Sequence, residues 1–290
     1  MKISSNNEWG ELKSVVVGDA IHANKPEGLH FDKPGPYRGE VTAQATSDLN
    51  KLVRVLEHEG VKVYRPIEKN FVMMDGMYNY CPRDRLLVVG KTIIDCNMQY
   101  DCREMEISSY SNILKKQHII KVPRDKGIMF DAANVCRLNN TLLYLISPSG
   151  NYMGADWLQE QFPKLTVETT ETYSGIHIDS TFVPVRQGLV VVNKDRVTPE
   201  TLPKCFKDWE VIWLGNEDLK RKRFTGEAFA SNYIQLNFMM INPELAVIDD
   251  TPVLQQELAK RGVQCYVVPF AHSRTLGGGH HCCTLDLHRR

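Results

Sequence analysis

The sequence has no excess of charge of either sign, because 35 lysine and arginine residues balance 35 aspartate and glutamate residues over 290 positions. A neutral chain has no overall attraction to nucleic acid or to an anionic membrane, so neither is predicted as a partner. The basic run Lys220, Arg221, Lys222 and Arg223 is a local exception, and a short run of this kind is typical of a solvated loop.

Long apolar runs are also missing, and none approaches the roughly 20 residues that span a bilayer. The N-terminal stretch 1–18 is polar and leads into a predicted strand, so it resembles neither a signal peptide nor an arginine-rich presequence.

None of the eight cysteines forms a CxxC pair. They are therefore predicted to be reduced thiols of a cytoplasmic protein rather than disulfides or zinc ligands.

One domain is predicted over residues 1–290, because no linker rich in glycine, proline or serine divides the chain. The clearest helix candidate runs from Asp48 to Glu59, where apolar residues spaced at i, i+3, i+4 and i+7 line one face. Gly60 is suited to end this helix, and the strand-like segment VKVY follows at 61–64.

A junction of this kind recurs along the chain. The strands that follow it are VKVY (61–64), HIIKVP (118–123), LTVETT (165–170), EVIWLG (210–215) and VQCYVVP (263–269). Five further strand candidates fit between them, namely LKSVVVG (12–18), DRLLVVG (84–90), TLLYLIS (141–147), GLVVVN (188–193) and ELAVID (244–249). Several of these runs are continuously apolar, which is typical of strands covered on both faces.

The regular spacing of these units indicates an internally repeated α/β architecture. Five units that each combine strands with a helix predict a closed ring, the pseudo-fivefold α/β propeller. An ordinary open α/β sheet has the same periodicity, so the pattern alone leaves both arrangements open.

The most unusual stretch is TLGGGHHCCTLD at 275–286. Three consecutive glycines cost chain entropy, so the fold must need close backbone approach or a positive φ there. A cysteine just after such a turn is well placed to be exposed and reactive, and a nearby imidazole would stabilise its thiolate. Cys282 and Cys283 are both candidates on this ground.

Three other interpretations of the same stretch are a phosphate-binding loop, a metal site and a purely structural turn. The Gly-Lys-Ser/Thr ending of a phosphate loop is absent. A metal site built from His280, His281, Cys282 and Cys283 is unfavourable, because adjacent side chains generally point in different directions. The structural turn remains the strongest of the three.

Two further segments place polar groups beside apolar runs. FDAAN (130–134) places Asp131 before a predicted strand, and SGIHIDSTF (174–182) alternates as a strand does. That alternation predicts His177, Asp179 and Thr181 on one face. A cysteine, a histidine and an aspartate in separate apolar segments are the groups that a Cys–His–Asp nucleophilic site requires.

Taken together, these segments resemble the amidinotransferase family, which includes glycine amidinotransferase and the inosamine-phosphate amidinotransferases. The resemblance extends from NEWGELKSVVVG (7–18) to LGGGHHCCTLD (276–286). The matching segments between them are PRDRLLVVG (82–90), FDAANV (130–135), HIDST (177–181), VVNKDR (191–196) and ASNYIQLN (230–237). Each segment alone is a weak signal, whereas the ordered set is specific. The sequence around HIDST looks most like bacterial members from natural-product pathways.

The resemblance implies the fivefold α/β propeller and a role for seven residues. These are Cys282 as the nucleophile, His177 as the general acid and base, Asp131 as the carboxylate that completes the triad, Asp84 and Asp179 as the partners of the guanidinium, and Arg196 and Ser231 as contacts to the donor's α-carboxylate. Ser174 and Gly175 lie where family members differ in acceptor preference. His280 stands where many relatives carry phenylalanine.

The implied reaction moves the amidino group of L-arginine through a cysteine thiouronium to a primary amine, such as glycine or another small amine, and releases ornithine. It requires no metal and no organic cofactor, and the family favours a homodimer. An arginine deiminase-like hydrolase of the same superfamily is the alternative, because sequence does not show which nitrogen His177 protonates. A non-catalytic guanidino-binding protein is less favoured, since a binder needs no nucleophile.

Overall fold

The computed structural model describes residues 1–27, 29, 31–173, 175–220 and 228–290. Of the residues singled out above, Arg221, Lys222, Arg223 and Ser174 lie outside the described residues. Within the described ranges, no helix is both long enough and apolar enough to cross a membrane.

The described residues contain six α-helices. They are α1 (Gly39–His58), α2 (Pro82–Arg85), α3 (Ser111–Leu114), α4 (Tyr152–Gln161), α5 (Pro252–Ala259) and α6 (Ser273–Leu276). Short 3₁₀ segments span Asp101–Tyr110, Ala132–Asn134, Lys204–Phe206, Asn216–Asp218 and Asn232–Leu236. The prediction that α1 begins at Asp48 was wrong, because Val41 and Ala45 are also buried and extend the apolar face toward the N-terminus.

The strands form five three-stranded sheets and one two-stranded ribbon in the described part of the chain. They are β1 (Leu12–Val17), β2 (Asn24–Lys25), β3 (Gly35–Pro36), β4 (Lys62–Tyr64), β5 (Leu86–Val89), β6 (Thr92–Asp95), β7 (Ile119–Lys121), β8 (Val135–Leu138), β9 (Thr141–Leu145), β10 (Thr166–Thr170), β11 (Phe182–Arg186), β12 (Leu189–Asn193), β13 (Glu210–Leu214), β14 (Met239–Asn242), β15 (Leu245–Ile248), β16 (Gln264–Val267) and β17 (Thr284–Arg289).

All five three-stranded sheets share one topology. A central strand pairs antiparallel with one outer strand and parallel with the other. In four sheets the antiparallel partner directly precedes the central strand, whereas β1 pairs with β17 from the far end of the chain. The five strands predicted to follow a helix are confirmed as the parallel outer strands β4, β7, β10, β13 and β16. The helix predicted before β13 was wrong, because only the 3₁₀ segment Lys204–Phe206 precedes that strand.

The apolar strand candidates are buried as predicted. All five residues of β12 and all four of β5 are buried, which agrees with strands covered on both faces. Leu49, Leu52 and Leu56 of α1 are fully buried in the same core cluster as Val15 and Val17 of β1. Helix α1 and strand β1 therefore share one core cluster, and the polar site described below lies just before the first residues of outer strands.

The prediction of a strand over 174–182 was wrong for residues 175–181, the part of this range that the structure describes ahead of β11. The chain turns before β11, and the N–H groups of Thr181 and Phe182 donate to the carbonyl of Ile178 at 2.9 and 3.1 Å. The carbonyl of Asp179 accepts a hydrogen bond from the Asn237 side chain at 3.0 Å instead of from a neighbouring strand. Ile178 is fully buried whereas Ile176 is 43% exposed, so the alternation does not report a sheet face here.

Candidate active site

Five residues occupy comparable positions in the five repeated sheets. Each lies two to four residues before the antiparallel outer strand of its sheet, namely Asp84, Asp131, Asp179, Asn237 and Cys282. Four of them line one cleft of about 260 Å³. The fifth, Asn237, contacts two of the others through hydrogen bonds. The repeated topology therefore brings side chains that are far apart in sequence to one place.

The glycine turn holds Cys282 close to other backbone. Gly277 adopts a φ of +79°, and a Cβ at Gly279 would lie 2.7 Å from the carbonyl oxygen of Asn237. This close approach lets the Asn237 side-chain oxygen accept a hydrogen bond from the Cys282 N–H at 2.9 Å. The Cys282 thiol in turn donates to Asp179 Oδ2 at 3.2 Å.

His177 lies between two buried carboxylates on the other side of the cleft. Its Nε2 is 3.2 Å from Asp131 Oδ2, and its Nδ1 is 3.6 Å from Asp84 Oδ1. Asp131 is fixed in turn, because its Oδ1 accepts a hydrogen bond from the backbone N–H of Gln99 at 2.7 Å. The Asp131–His177 pair predicted from separate segments is therefore in contact.

Asp84 is held by a pair of charged residues that the sequence interpretation did not single out. Arg103 Nη1 donates to Asp84 Oδ2 at 2.9 Å, and its other nitrogens donate to both oxygens of Glu106 at 2.8 and 3.0 Å. The other Asp84 oxygen, Oδ1, makes no hydrogen bond although it is buried. It faces the cleft beside His177, where a guanidinium N–H would satisfy it.

Arg196 and Ser231 line the same cleft. The Arg196 guanidinium packs between the rings of Tyr173 and Tyr233, at 4.6 and 4.7 Å from their centroids. Its Nη1 donates to Ser180 Oγ at 3.1 Å and to a second hydroxyl. Stacked and anchored in this way, the guanidinium is held in one orientation at the edge of the cleft. Gly175 also lines the cleft.

The carboxylates set the protonation of His177. Burial alone would lower the pKa of its imidazole, but Asp84, Asp131 and Asp179 raise that pKa to about 9. For Asp179 burial acts in the opposite direction and raises the pKa of the carboxyl. Hydrogen bonds from His281 and Asn237 and the charge of His177 outweigh burial and bring this pKa down to about 2. At neutral pH the site therefore contains an imidazolium and an ionised Asp179.

The thiol behaves differently. Contact with the Cys81 thiol and burial raise the pKa of Cys282 well above its ordinary value, and the charges of Asp179 and Asp84 act in the same direction. The resting sulfur is therefore protonated. A cation placed among these carboxylates would reverse the balance and favour the thiolate.

The side chains of the HHCC run point in different directions, as expected for adjacent residues. His280 Nε2 lies 2.8 Å from the carbonyl oxygen of Val268, while His281 faces Asp179 and Glu8. Among the residues that the structure describes, no group of three or more histidine, cysteine, aspartate or glutamate side chains is arranged to hold a metal ion.

The sequence interpretation missed Arg103, Glu106 and Asn237 as parts of the site. Asn237 was detectable in principle, because it lies two residues before an outer strand as Asp84 and Cys282 do. Arg103 and Glu106 lie in the charged stretch DCREME, which gives no signal that distinguishes it from a solvated segment.

Comparisons with known proteins agree with the family resemblance that the sequence shows. No protein-family model matches the chain. Inosamine-phosphate amidinotransferase 1 of Streptomyces glaucescens is 33% identical over 338 aligned residues, covering 99% of this chain and 97% of the relative. The L-arginine:L-lysine amidinotransferase of Pseudomonas savastanoi pv. phaseolicola is 27% identical, covering 99% and 94%.

Solved structures agree on the fold. An inosamine-phosphate amidinotransferase from Streptomyces griseus matches with a TM-score of 0.93 at 34% identity, covering 99% of this chain and 97% of that chain. DDAH from Pseudomonas aeruginosa matches with a TM-score of 0.72 at 15% identity, covering 95% and 99%, which is evidence for the fold alone. The chain therefore has the α/β fold of the pentein type.

Proposed function

The chain belongs to the amidinotransferase family, and on that premise we propose that it transfers the amidino group of L-arginine to a primary amine and releases ornithine. The observation that carries the proposal is one cleft with a thiol, a His–Asp pair and two further carboxylates. The Cys282 sulfur lies 3.2 Å from Asp179 Oδ2. A protein that only binds a guanidino compound needs no such nucleophile.

The donor is held at both ends in this proposal. Asp84 and Asp179 accept hydrogen bonds from the guanidinium and keep it protonated, which places its central carbon beside the Cys282 sulfur. Arg196 and Ser231 bind the α-carboxylate at the other end. The stacking of Arg196 between two tyrosine rings supports this assignment, because it limits the motion of the guanidinium plane.

The first half-reaction breaks the bond between the guanidinium carbon and the nitrogen that ornithine keeps. The bound cation lowers the pKa of Cys282, its proton leaves to solvent, and the thiolate attacks the carbon. His177, an imidazolium with a pKa of about 9, gives its proton to the departing nitrogen. Ornithine leaves, and the amidino group stays on sulfur as a thiouronium.

The second half-reaction runs the same chemistry in reverse with another amine. The neutral His177 accepts a proton from the acceptor amine as that nitrogen attacks the thiouronium carbon. The carbon–sulfur bond then breaks and returns the Cys282 thiolate and the imidazolium. Each proton that His177 gives is thus regained, and the expected kinetics are ping-pong.

The arrangement of the sheets and the cellular compartment are also part of the proposal. We infer that the five sheets close into a pseudo-fivefold ring that forms one domain over residues 1–290, an arrangement supported by their shared topology. We infer a reducing compartment such as the cytoplasm, because all eight cysteines are free thiols.

The experiment that tests this function is intact-protein mass spectrometry after brief incubation with L-arginine alone. We expect a mass gain of one amidino group, mapped by peptide analysis to Cys282, together with one equivalent of free ornithine. Addition of an amine panel to the loaded enzyme should then remove the adduct and identify the acceptor.

Two results would overturn the proposal. An adduct that retains the arginine carbon skeleton, with ammonia and citrulline in solution, would establish a guanidino hydrolase of the deiminase type. An unmodified Cys282 and unchanged arginine at millimolar concentration would exclude arginine as the donor.

A further inference from the structure

The histidine next to the nucleophile links Asp179 to a second buried carboxylate. Resting on the function proposed above, we propose that His281 and Glu8 are positioning residues, which keep the Asp179 carboxylate ionised and oriented while Cys282 loses its proton. In the described part of the chain neither residue lines the cleft, so both act through Asp179.

Both ring nitrogens of His281 face carboxylates. Nδ1 lies 2.8 Å from Asp179 Oδ2, and Nε2 lies 3.2 Å from Glu8 Oε2. The three side chains are between 5% and 9% exposed, so water does not replace these contacts. An ionised carboxylate only accepts hydrogen bonds, and a ring that donates from both nitrogens is an imidazolium.

The reason for this arrangement lies in the oxygen that His281 contacts. Asp179 Oδ2 also accepts the hydrogen bond from the Cys282 thiol at 3.2 Å. Once Cys282 ionises, this oxygen and the sulfur repel each other, which would turn the carboxylate away or keep the proton on sulfur. An imidazolium on the same oxygen offsets the repulsion and leaves the second Asp179 oxygen for the guanidinium.

Glu8 is itself held rigidly. Arg137 donates to its two oxygens at 2.8 and 2.6 Å, and Arg83 Nη1 lies 3.4 Å from Oε2. Burial raises the pKa of Glu8, but Arg137, His281 and Arg83 bring it well below its ordinary value. The Glu8 carboxylate thus stays ionised and selects the doubly protonated form of His281.

The charges that surround His281 are nearly balanced. The buried groups in this connected network are the carboxylates of Glu8, Asp179 and Asp286 and the cations of Arg83, Arg137, Arg289 and His281. With His281 protonated the network has one positive charge in excess. A thiolate at Cys282 neutralises that excess, and a neutral His281 would remove the compensation.

The variant that separates charge from hydrogen bonding is His281→Asn. The asparagine amide can still donate to Asp179, but it has no charge and does not reach Glu8. We expect the single-turnover rate of adduct formation at saturating arginine to fall about tenfold or more, with half-saturation by arginine changed less than about threefold. Cys282 alkylation by iodoacetamide at pH 8, followed by peptide mass spectrometry, should slow by a similar factor.

The matched control is the neighbouring histidine. His280 is also buried, but it bonds to the backbone carbonyl of Val268 and packs on Phe270 at a ring distance of 4.2 Å. His280→Gln can keep the carbonyl bond. It should alkylate and turn over at rates within about twofold of the unchanged enzyme, which a general disturbance of the turn would not allow.

Glu8→Gln is the second test and covers the case that His281→Asn does not fold. The amide fills the same space and lets His281 become neutral, so the same slower alkylation is expected. Folded variants that alkylate and react at the unchanged rate would overturn the positioning role. Alkylation needs no arginine, so failure of the unchanged enzyme to form an adduct would refute the proposed function without deciding this test.

Discussion

At the scale of single residues, the two adjacent cysteines have different surroundings. Both are buried in one core cluster, but Cys282 lines the cleft and contacts Asp179, whereas Cys283 is fully buried and is not among the cleft-lining residues in the described part of the chain. Sequence physics left the choice between them open. The orientation of the two side chains favours Cys282, because a nucleophile must face the space that the substrate occupies.

Substitution of these two cysteines is the first test at this scale. Cys282→Ala should abolish arginine-dependent ornithine release, because no thiolate remains to accept the amidino group. Cys283→Ala should retain most of the activity and cost roughly 1 kcal/mol of unfolding free energy for the lost buried sulfur. Activity assays and urea unfolding of both variants measure this, and the opposite ranking of activities would move the nucleophile to Cys283.

His177 predicts a dependence of stability on pH. Burial opposes its charge, but Asp84 and Asp131 raise its pKa from 6.5 to about 9 in the folded chain. Its contribution is therefore complete below about pH 6.5 and is lost as the pH rises through about 9, and its size is at most on the order of 3 kcal/mol.

Urea unfolding of the unchanged protein and of His177→Asn between about pH 6 and pH 10 measures this contribution. The stability difference between the two proteins should shrink as the pH rises. A difference that stays constant or grows would show that His177 is not an imidazolium held by carboxylates.

The chemical groups of the site were largely predictable from sequence, but their supports were not. His177, Asp131 and Cys282 lie in unusual segments, and the resemblance to a family assigned their roles. Arg103 and Glu106 form a buried ion pair that fixes Asp84, yet they come from a segment with the composition of a surface loop. Pairing of buried charges depends on tertiary contacts, which local composition does not report.

At the scale of elements, the turn between α6 and β17 has no room for a side chain at its three glycines. A Cβ at Gly279 would lie 2.7 Å from a backbone oxygen and 2.8 Å from a side-chain carbon of Asn237. Gly279→Ala should therefore cost roughly 1 to 3 kcal/mol of unfolding free energy and lower activity by displacing Cys282.

The control for this prediction is Gly39→Ala at the start of α1. A Cβ there meets nothing within 4 Å, so stability should stay the same or rise slightly. Thermal unfolding and single-turnover assays distinguish the two variants. Equal effects at both positions would mean that the turn adapts and that its glycines are not required by close packing.

Element prediction succeeded where the pattern was apolar and failed where polar contacts decide. The parallel outer strands and the core face of α1 follow from hydrophobic periodicity. The segment 175–181 alternates like a strand but turns, because its backbone groups are satisfied by local turns and by Asn237. Hydrophobic periodicity reports which residues are buried in the core. The conformation of this segment is determined by polar contacts around the cleft, which periodicity does not report.

At the scale of the whole molecule, the site joins segments that are far apart in sequence. Cys282 contacts Asp179 across 103 positions, and His281 contacts Glu8 across 273. Such non-local contacts form late, because the loops between them must close first.

During refolding from urea, arginine-dependent adduct formation should return only with the slowest phase of tryptophan fluorescence. Activity that returns with an earlier phase would contradict this order.

The comparable position of one site residue before each antiparallel outer strand has an evolutionary consequence. Duplication of one ancestral unit would supply five matching backbone sites, at which a carboxylate, an amide or a thiol stands in the present chain. Selection can then exchange one side chain at a time while the scaffold that presents it stays unchanged. New acceptor preferences would arise in this way from single substitutions around the cleft, with no need to evolve a new fold.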